Sequence, residues 1–381
     1  MAMFKINIKN AAVFSLAACM AAGLLVAPGC GAGGTGIARP TLLVSLPDSA
    51  NTPDGMTIDD KTGDIYVCCP NLKDQKYPAV LMKIDKDNKV TKFYDFPKEA
   101  MHPGSGKIGA MGLDMGPDGN LYIADNQYFW DKNYASRLIR VNIKDGKPVG
   151  TDILVEGTKL SNAVIWRGNN VYLSDTFFDV PDKPGISGIW RFSLDELNSG
   201  KVIKVNPKGF DPHTIGTTDP HLIATFQTFA LPHRGDTAGA DGLTFDKDGN
   251  LYCGNFGDGV ISKISFDDKG NVISNKILIN DSKTMPSADG MFYDAKRDLI
   301  YIADSERNAV RAFTTDGKLS TVWENGANTT GADGLLDQPC EVLVRGDTMY
   351  VACFDISFPG LLNTVNDDVH TISIIELPEK K

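Results

Sequence analysis

The chain is 381 residues long, with 42% hydrophobic residues, 23% charged residues and 38 glycines, a composition that supports a large buried core and excludes a disordered polymer. Its formal net charge is -10, from 38 basic and 48 acidic residues scattered along the chain, which argues against nucleic acid as a partner. Many of the acids fall in Asp-Gly pairs, read as turns in which the carboxylate bonds its own backbone and the glycine supplies a positive φ.

At the start of the chain, Lys5 and Lys9 precede an apolar stretch from Ala11 to Pro28, and small residues follow from Gly29 to Gly34. This order predicts an export signal over residues 1–30 and a short linker over residues 31–40. The stretch is marginal for a membrane span, which needs about 20 apolar residues. Two cysteines lie in boxes that resemble the lipid-attachment site of bacterial lipoproteins. Cys19 follows Leu16-Ala17-Ala18 and fits by sequence; Cys30 follows Val26-Ala27-Pro28-Gly29 and fits by apolar length. The expectation is an exported protein, periplasmic or at the cell surface, with Cys30 as the lipid-attachment residue and the membrane a partner only through that anchor. Five further cysteines, Cys68, Cys69, Cys253, Cys340 and Cys353, are odd in number and lack a CxxC spacing, which argues against a disulfide framework or a zinc site and for buried thiols.

From about residue 41 onward a unit recurs: a polar residue and a small residue lead into an apolar strand, a tight turn and a second strand. It reads Asp54-Gly55-Met56-Thr57-Ile58, Met111-Gly112-Leu113-Asp114, Asn162-Ala163-Val164-Ile165-Trp166, Asp241-Gly242-Leu243-Thr244-Phe245, Asp289-Gly290-Met291-Phe292-Tyr293 and Cys340-Glu341-Val342-Leu343-Val344. Further alternating stretches follow each unit, such as Val260-Ile261-Ser262-Lys263-Ile264 and Lys276-Ile277-Leu278-Ile279. Six copies at about fifty residues predict an all-β, six-bladed β-propeller with four-stranded blades over residues 41–381. The last repeat lacks a strand, and Thr41-Leu42-Leu43-Val44-Ser45-Leu46 precedes the first, so this segment is expected to complete the last blade and close the ring.

The first strand of each blade lines the channel of a propeller, so the leading residues Asp54, Met111, Asn162, Asp241, Asp289 and Cys340 are expected to ring one mouth. Asp54, Asn162, Asp241 and Asp289 then form a candidate metal site, because carboxylates converging on one axis repel unless protonated or bound to a cation. Calcium, which prefers six to eight oxygen ligands, suits this set; another divalent ion such as magnesium is the alternative. The plainer reading of each Asp-Gly is a turn into the strand. Long connections between second and third strands are expected to return to the same mouth, carrying Tyr128, Phe129, Trp130, Phe177, Phe178, Phe354 and Phe358. Tyr128, Trp130, Phe177 and Phe354, with Met111, are the candidate substrate-binding residues. The widest spacing, between Asn162 and Asp241, holds His213, His221 and His233. His233, beside Arg234 and shortly before Asp241, is the candidate acid or base among them, and a surface position in a Pro-stiffened insertion is the plainer reading.

At Ala240-Asp241-Gly242-Leu243-Thr244-Phe245-Asp246, Gly249-Asn250-Leu251-Tyr252 and Asp304-Ser305-Glu306-Arg307-Asn308-Ala309-Val310 the chain resembles the gluconolactonase and regucalcin superfamily, to which diisopropylfluorophosphatase belongs. The resemblance implies a catalytic calcium. Asp54 stands where the family has a Glu ligand, Asn162 where it has an Asn and Asp241 where it has an Asp, which would also be the nucleophile or base. Met111 replaces a further Asn of some members and cannot give a hard oxygen, so Asp289 is expected to compensate. The implied function is calcium-dependent hydrolysis of a small lactone, ester or phosphoester. A non-enzymatic propeller that binds a ligand or protein at the same face is the competing reading.

Overall fold

The computed structural model describes residues 37–180, 183–206, 219–358 and 360–379; the predicted export signal, Cys19, Cys30 and His213 lie outside them. Alternating apolar residues between Gly and Asp turns build six antiparallel sheets, the blades of a propeller. Their inner strands are Met56–Ile58, Ala110–Met115, Ser161–Arg167, Ala240–Phe245, Met291–Asp294 and Pro339–Arg345. The fourth blade shows the pattern: Ala240–Phe245, Leu251–Asn255, Ile261–Phe266 and Val272–Ile279 pair in sequence order. The second blade gains a fifth strand, Ile203–Lys204, which runs parallel to its outer strand Lys147–Thr158. In the sixth blade the outer strand is Thr41–Leu46, antiparallel to His370–Glu376, with Thr41 opposite Ile374 and Leu46 opposite His370.

The second strand of each blade packs between two neighbouring blades, which is why Ile65–Cys69, Leu121–Asp125 and Leu251–Asn255 are buried throughout rather than on alternate residues. The cores are seams between blades. Ile65, Val67 and Met82 of the first blade pack with Leu343, Tyr350 and Ile372 of the sixth, so ordinary apolar packing crosses the closure. All five described cysteines are free and buried, as their number and spacing predict.

The glycines after the ring residues have a different purpose from the one read in the sequence. Gly55, Gly112, Gly242 and Gly290 do not take a positive φ. They are needed because the inner strands nearly touch around the axis. A Cβ on Gly55 would lie 2.5 Å from Gly112 Cα, and one on Gly290 would lie 2.6 Å from the Cys340 carbonyl oxygen. A Cβ on Gly112 would overlap the Asn162 carbonyl, and one on Gly242 the Asp289 carbonyl. Register shifts at Ala110/Leu113, Ser161/Val164, Ala240/Leu243 and Pro339/Glu341 place a bulge at the same level in four of the blades. Bulges of this kind re-aim side chains, here toward the axis.

The loop asymmetry is narrower than expected. Long connections join the second and third strands in the first, second and sixth blades, at residues 70–79, 126–135 and 354–369. In the third blade the two strands continue as one long hairpin, Asn170–Val180 with Lys183–Ser193, and in the fourth and fifth blades the connections are short.

Gly242→Ala therefore forces a methyl group into backbone that cannot rotate away. It is expected to lower the unfolding free energy by about 1–3 kcal/mol in urea titrations, as overpacking does. Gly150→Ala, where a Cβ meets open space, should leave the midpoint nearly unchanged.

Candidate active site

The close convergence of the inner strands brings Asp54, Met111, Asn162, Asp241, Asp289 and Cys340 to the floor of one cavity of about 360 Å³. Its walls are aromatic. Tyr128 and Phe177 stack with ring centroids 5.1 Å apart, and Phe354 and Phe358 stack at 6.3 Å. Phe129 and Phe256 extend this apolar lining.

The floor crowds buried carboxyl groups together. Asp54 Oδ2 is buried and has no hydrogen-bond partner. Burial and then the charge of Asp289 push its carboxyl up to about 8, against a lowering by the Cys340 thiol. Asp289 accepts from the Gly290 amide at 3.0 Å and from the Ser305 hydroxyl at 2.7 Å. Burial nonetheless raises it to about 7. Asp241 is driven well above the usual carboxylate range by burial, then by Asp289 and Asp54. Just past the floor, Glu341 accepts from the Val342 amide at 2.9 Å, and burial raises it as well.

One buried cation faces this set. Arg234 lines the cavity with its guanidinium 4.2 Å from the Phe256 ring centroid. It donates to the Phe256 carbonyl at 3.1 Å, to Glu306 at 3.3 Å and to Asp236 at 3.1 Å. Asn126 and Gln338 also line the cavity, and Asn126 Nδ2 and Gln338 Oε1 are buried without hydrogen bonds. None of these three was singled out as a binding group in the sequence. Arg234 had a signal, its place beside His233; Asn126 and Gln338 lie outside the leading positions and carried none.

Four positions singled out in the sequence fall elsewhere. His233 does not line the cavity: its Nε2 is 2.7 Å from Glu306 Oε1 and its side chain is half exposed, because the loop turns Arg234 inward instead. Trp130 does not line it either; its indole donates to Gln75 at 3.0 Å, and its ring packs over Gly109, 3.2 Å from where a Cβ would be. Phe178 is a core residue against Trp190. His221 lies in a separate cleft, with Nδ1 2.8 Å from Asp219 Oδ1 and its ring against Phe192.

The donor types suit a hard cation. Asp54, Asn162, Asp241 and Asp289 offer oxygen, Asp54 Oδ2 is buried without a hydrogen bond, and the carboxyls are crowded enough to hold protons when no cation replaces them. Among the described residues, three carboxylates with oxygens within 4.8 Å of one another are found not here but at Asp337, Asp355 and Asp367. Met111 gives a sulfur and a hydrophobic surface instead, and it is itself 7% exposed.

Fold and site define a six-bladed propeller with an acidic, aromatic-walled mouth. Residues 233–332 match the family described as SMP-30/Gluconolactonase/LRE-like region, and the stretches that resemble the superfamily in sequence lie inside this part of the chain. No curated protein sequence matches the chain. Among solved structures, a luciferin-regenerating enzyme is similar with a TM-score of 0.56 at 12% identity, covering 89% of this chain and 94% of its own. XC5397 from Xanthomonas campestris, a gluconolactonase, gives 0.53 at 13%, covering 93% and 99%. Regucalcin from Agrobacterium tumefaciens, a calcium-binding protein, gives 0.53 at 14%, covering 91% and 98%. At these identities the structural likeness establishes the fold.

The raised carboxyls make stability depend on pH in a definite direction. A carboxyl whose pKa is higher in the folded protein than in the unfolded chain binds more protons when folded, so its contribution is complete below the unfolded value and lost as pH rises through the folded one. With Asp54 at about 8 and Asp289 at about 7, against 3.8 for the free side chain, chelator-treated protein should lose thermal stability between about pH 4 and pH 8. Asp54→Asn should flatten this decline in melting scans across that range.

Proposed function

We propose that this protein is a hydrolase of small lactones, esters or phosphoesters, with calcium held by Asp54, Asn162, Asp241 and Asp289. The observation that carries this reading is the buried carboxylate set at the floor of an aromatic-walled cavity, with Asp54 Oδ2 left without a partner. The match over residues 233–332 and the structural likeness to a gluconolactonase support the same class.

When bound, calcium would supply a Lewis acid that polarises the substrate's carbonyl or phosphoryl oxygen. The chain's own residues do the rest. Tyr128, Phe177, Phe354 and Phe358 grip the apolar part of the substrate and keep water from its flanks. Asp241 takes the proton from an attacking water, or attacks directly. Asp289 is fixed in orientation by Ser305 and Gly290. Arg234, with its own partners fixed, keeps a positive charge at the wall, where it lowers the cost of negative charge on the floor.

Met111 in the ring favours a second reading, a propeller that binds an apolar ligand without turnover. Lactone and aryl-ester turnover, assayed with and without chelator, separates the two. A hydrolase should lose activity with chelator and regain it with calcium, and Asp241→Asn should lower kcat by about 100-fold or more at saturating calcium while the fold is kept. Absence of turnover above background in both conditions would leave the binding reading in its place.

We also propose that the protein is exported and carries lipid on Cys30, on the order of basic, apolar and small residues that precedes it. Mass analysis of the processed N-terminus is expected to show a lipid-modified Cys30; a start at Cys19 or an unmodified start further on would contradict this.

A further inference from the structure

A second group of carboxylates meets on the sixth blade, away from the ring. Asp337 lies just ahead of the inner strand Pro339–Arg345, separated from it by Gln338, whereas Asp355 and Asp367 belong to the connection 354–369. One oxygen from each lies within 4.8 Å of the others. Lys73 comes across from the first blade and places Nζ 2.7 Å from Asp355 Oδ2. Asn363 donates to Asp337 Oδ1 at 2.6 Å. Three carboxylates against one ammonium leave an excess of two negative charges in a largely buried place.

Two further atoms point to what is missing. His370, the first residue of the strand His370–Glu376, is 3% exposed, and its Nδ1 makes no hydrogen bond although it lies 3.4 Å from Asp355 Oδ2. Asp337 Oδ2 is likewise buried without a hydrogen bond. A buried imidazole nitrogen and a buried carboxylate oxygen are costly to leave unpaired.

We propose that Asp337, Asp355, Asp367 and His370 form a binding site for a divalent cation of the first transition row, separate from the ring. The excess of two charges matches one such ion. The mixed set distinguishes it from the ring: carboxylates suit manganese, imidazole suits zinc and its neighbours, and calcium or magnesium prefers oxygen alone. Lys73 then orients Asp355 from outside the ligand set, as partners of ligating carboxylates commonly do. The ion would tie the base of the inner strand to the connection that carries Phe354 and Phe358, and so brace one wall of the cavity.

The test uses manganese(II) as probe on the full chain, with free ion followed by electron paramagnetic resonance in wild-type, Asp241→Asn and Asp367→Asn proteins. Asp241→Asn should retain a saturable site, and Asp367→Asn should weaken that site by about tenfold or more. Asp367 is only half buried, so its substitution should not prevent folding. Pulsed measurements on the bound ion should detect a nitrogen coupling that disappears in His370→Gln. No saturable binding in Asp241→Asn, binding unchanged by Asp367→Asn, or a nitrogen coupling that persists without His370 would each overturn the proposal.

Discussion

The structure depends on how closely six inner strands approach one another around a single axis. The backbone of each blade comes so near the next that Gly55, Gly112, Gly242 and Gly290 have no room for a Cβ. The same approach compresses the residue before each of them against its counterparts from other blades. Asp54, Asp241 and Asp289 therefore share a floor although they come from distant parts of the chain, and the crowding raises their proton affinity. Packing density and electrostatics in this protein have one geometric cause.

Two blades depart from the pattern at the position after the ring residue, and each departure has a chemical effect. The third blade has Ala163, whose methyl group is accommodated, and Asn162 ahead of it brings a neutral oxygen to the ring. The sixth has Glu341, which fills the space beside Gly290 and adds a raised carboxyl below the floor. A row of carboxyl groups thus continues down the channel instead of ending at the mouth. Asp114, held by the Thr57 hydroxyl at 2.7 Å and the Trp166 amide at 2.7 Å, continues it and links three inner strands.

The blade number and the ring could be read from sequence because a repeated strand start leaves a repeated polar-small pair, and a propeller puts all such starts at one mouth. The glycines were visible too, but their cause was not: a turn glycine and a glycine pressed by a neighbouring backbone look alike in one chain. Loop residues were harder. Phe354 and Trp130 both sit in long connections, yet only Phe354 faces the cavity, since the direction of a loop side chain is set by what the loop packs on and not by spacing. His233 and Arg234 are adjacent, and the fold turns the second inward. The acidic group on the sixth blade had no signal at all, because Asp337, Asp355, Asp367 and His370 follow no common period.

The sixth blade is assembled from both ends of the described chain, with Thr41 paired to Ile374. Such a contact spans nearly the whole sequence, and contacts of that kind slow folding because loop closure must precede any gain from pairing. The first strand of the described residues pairs with the last. Until residues 370–376 are made, Thr41–Leu46 is an unpaired β-segment and the first blade has no neighbour on one side. The ring therefore completes only once residues 370–376 are present, and until then the chain carries an open sheet edge.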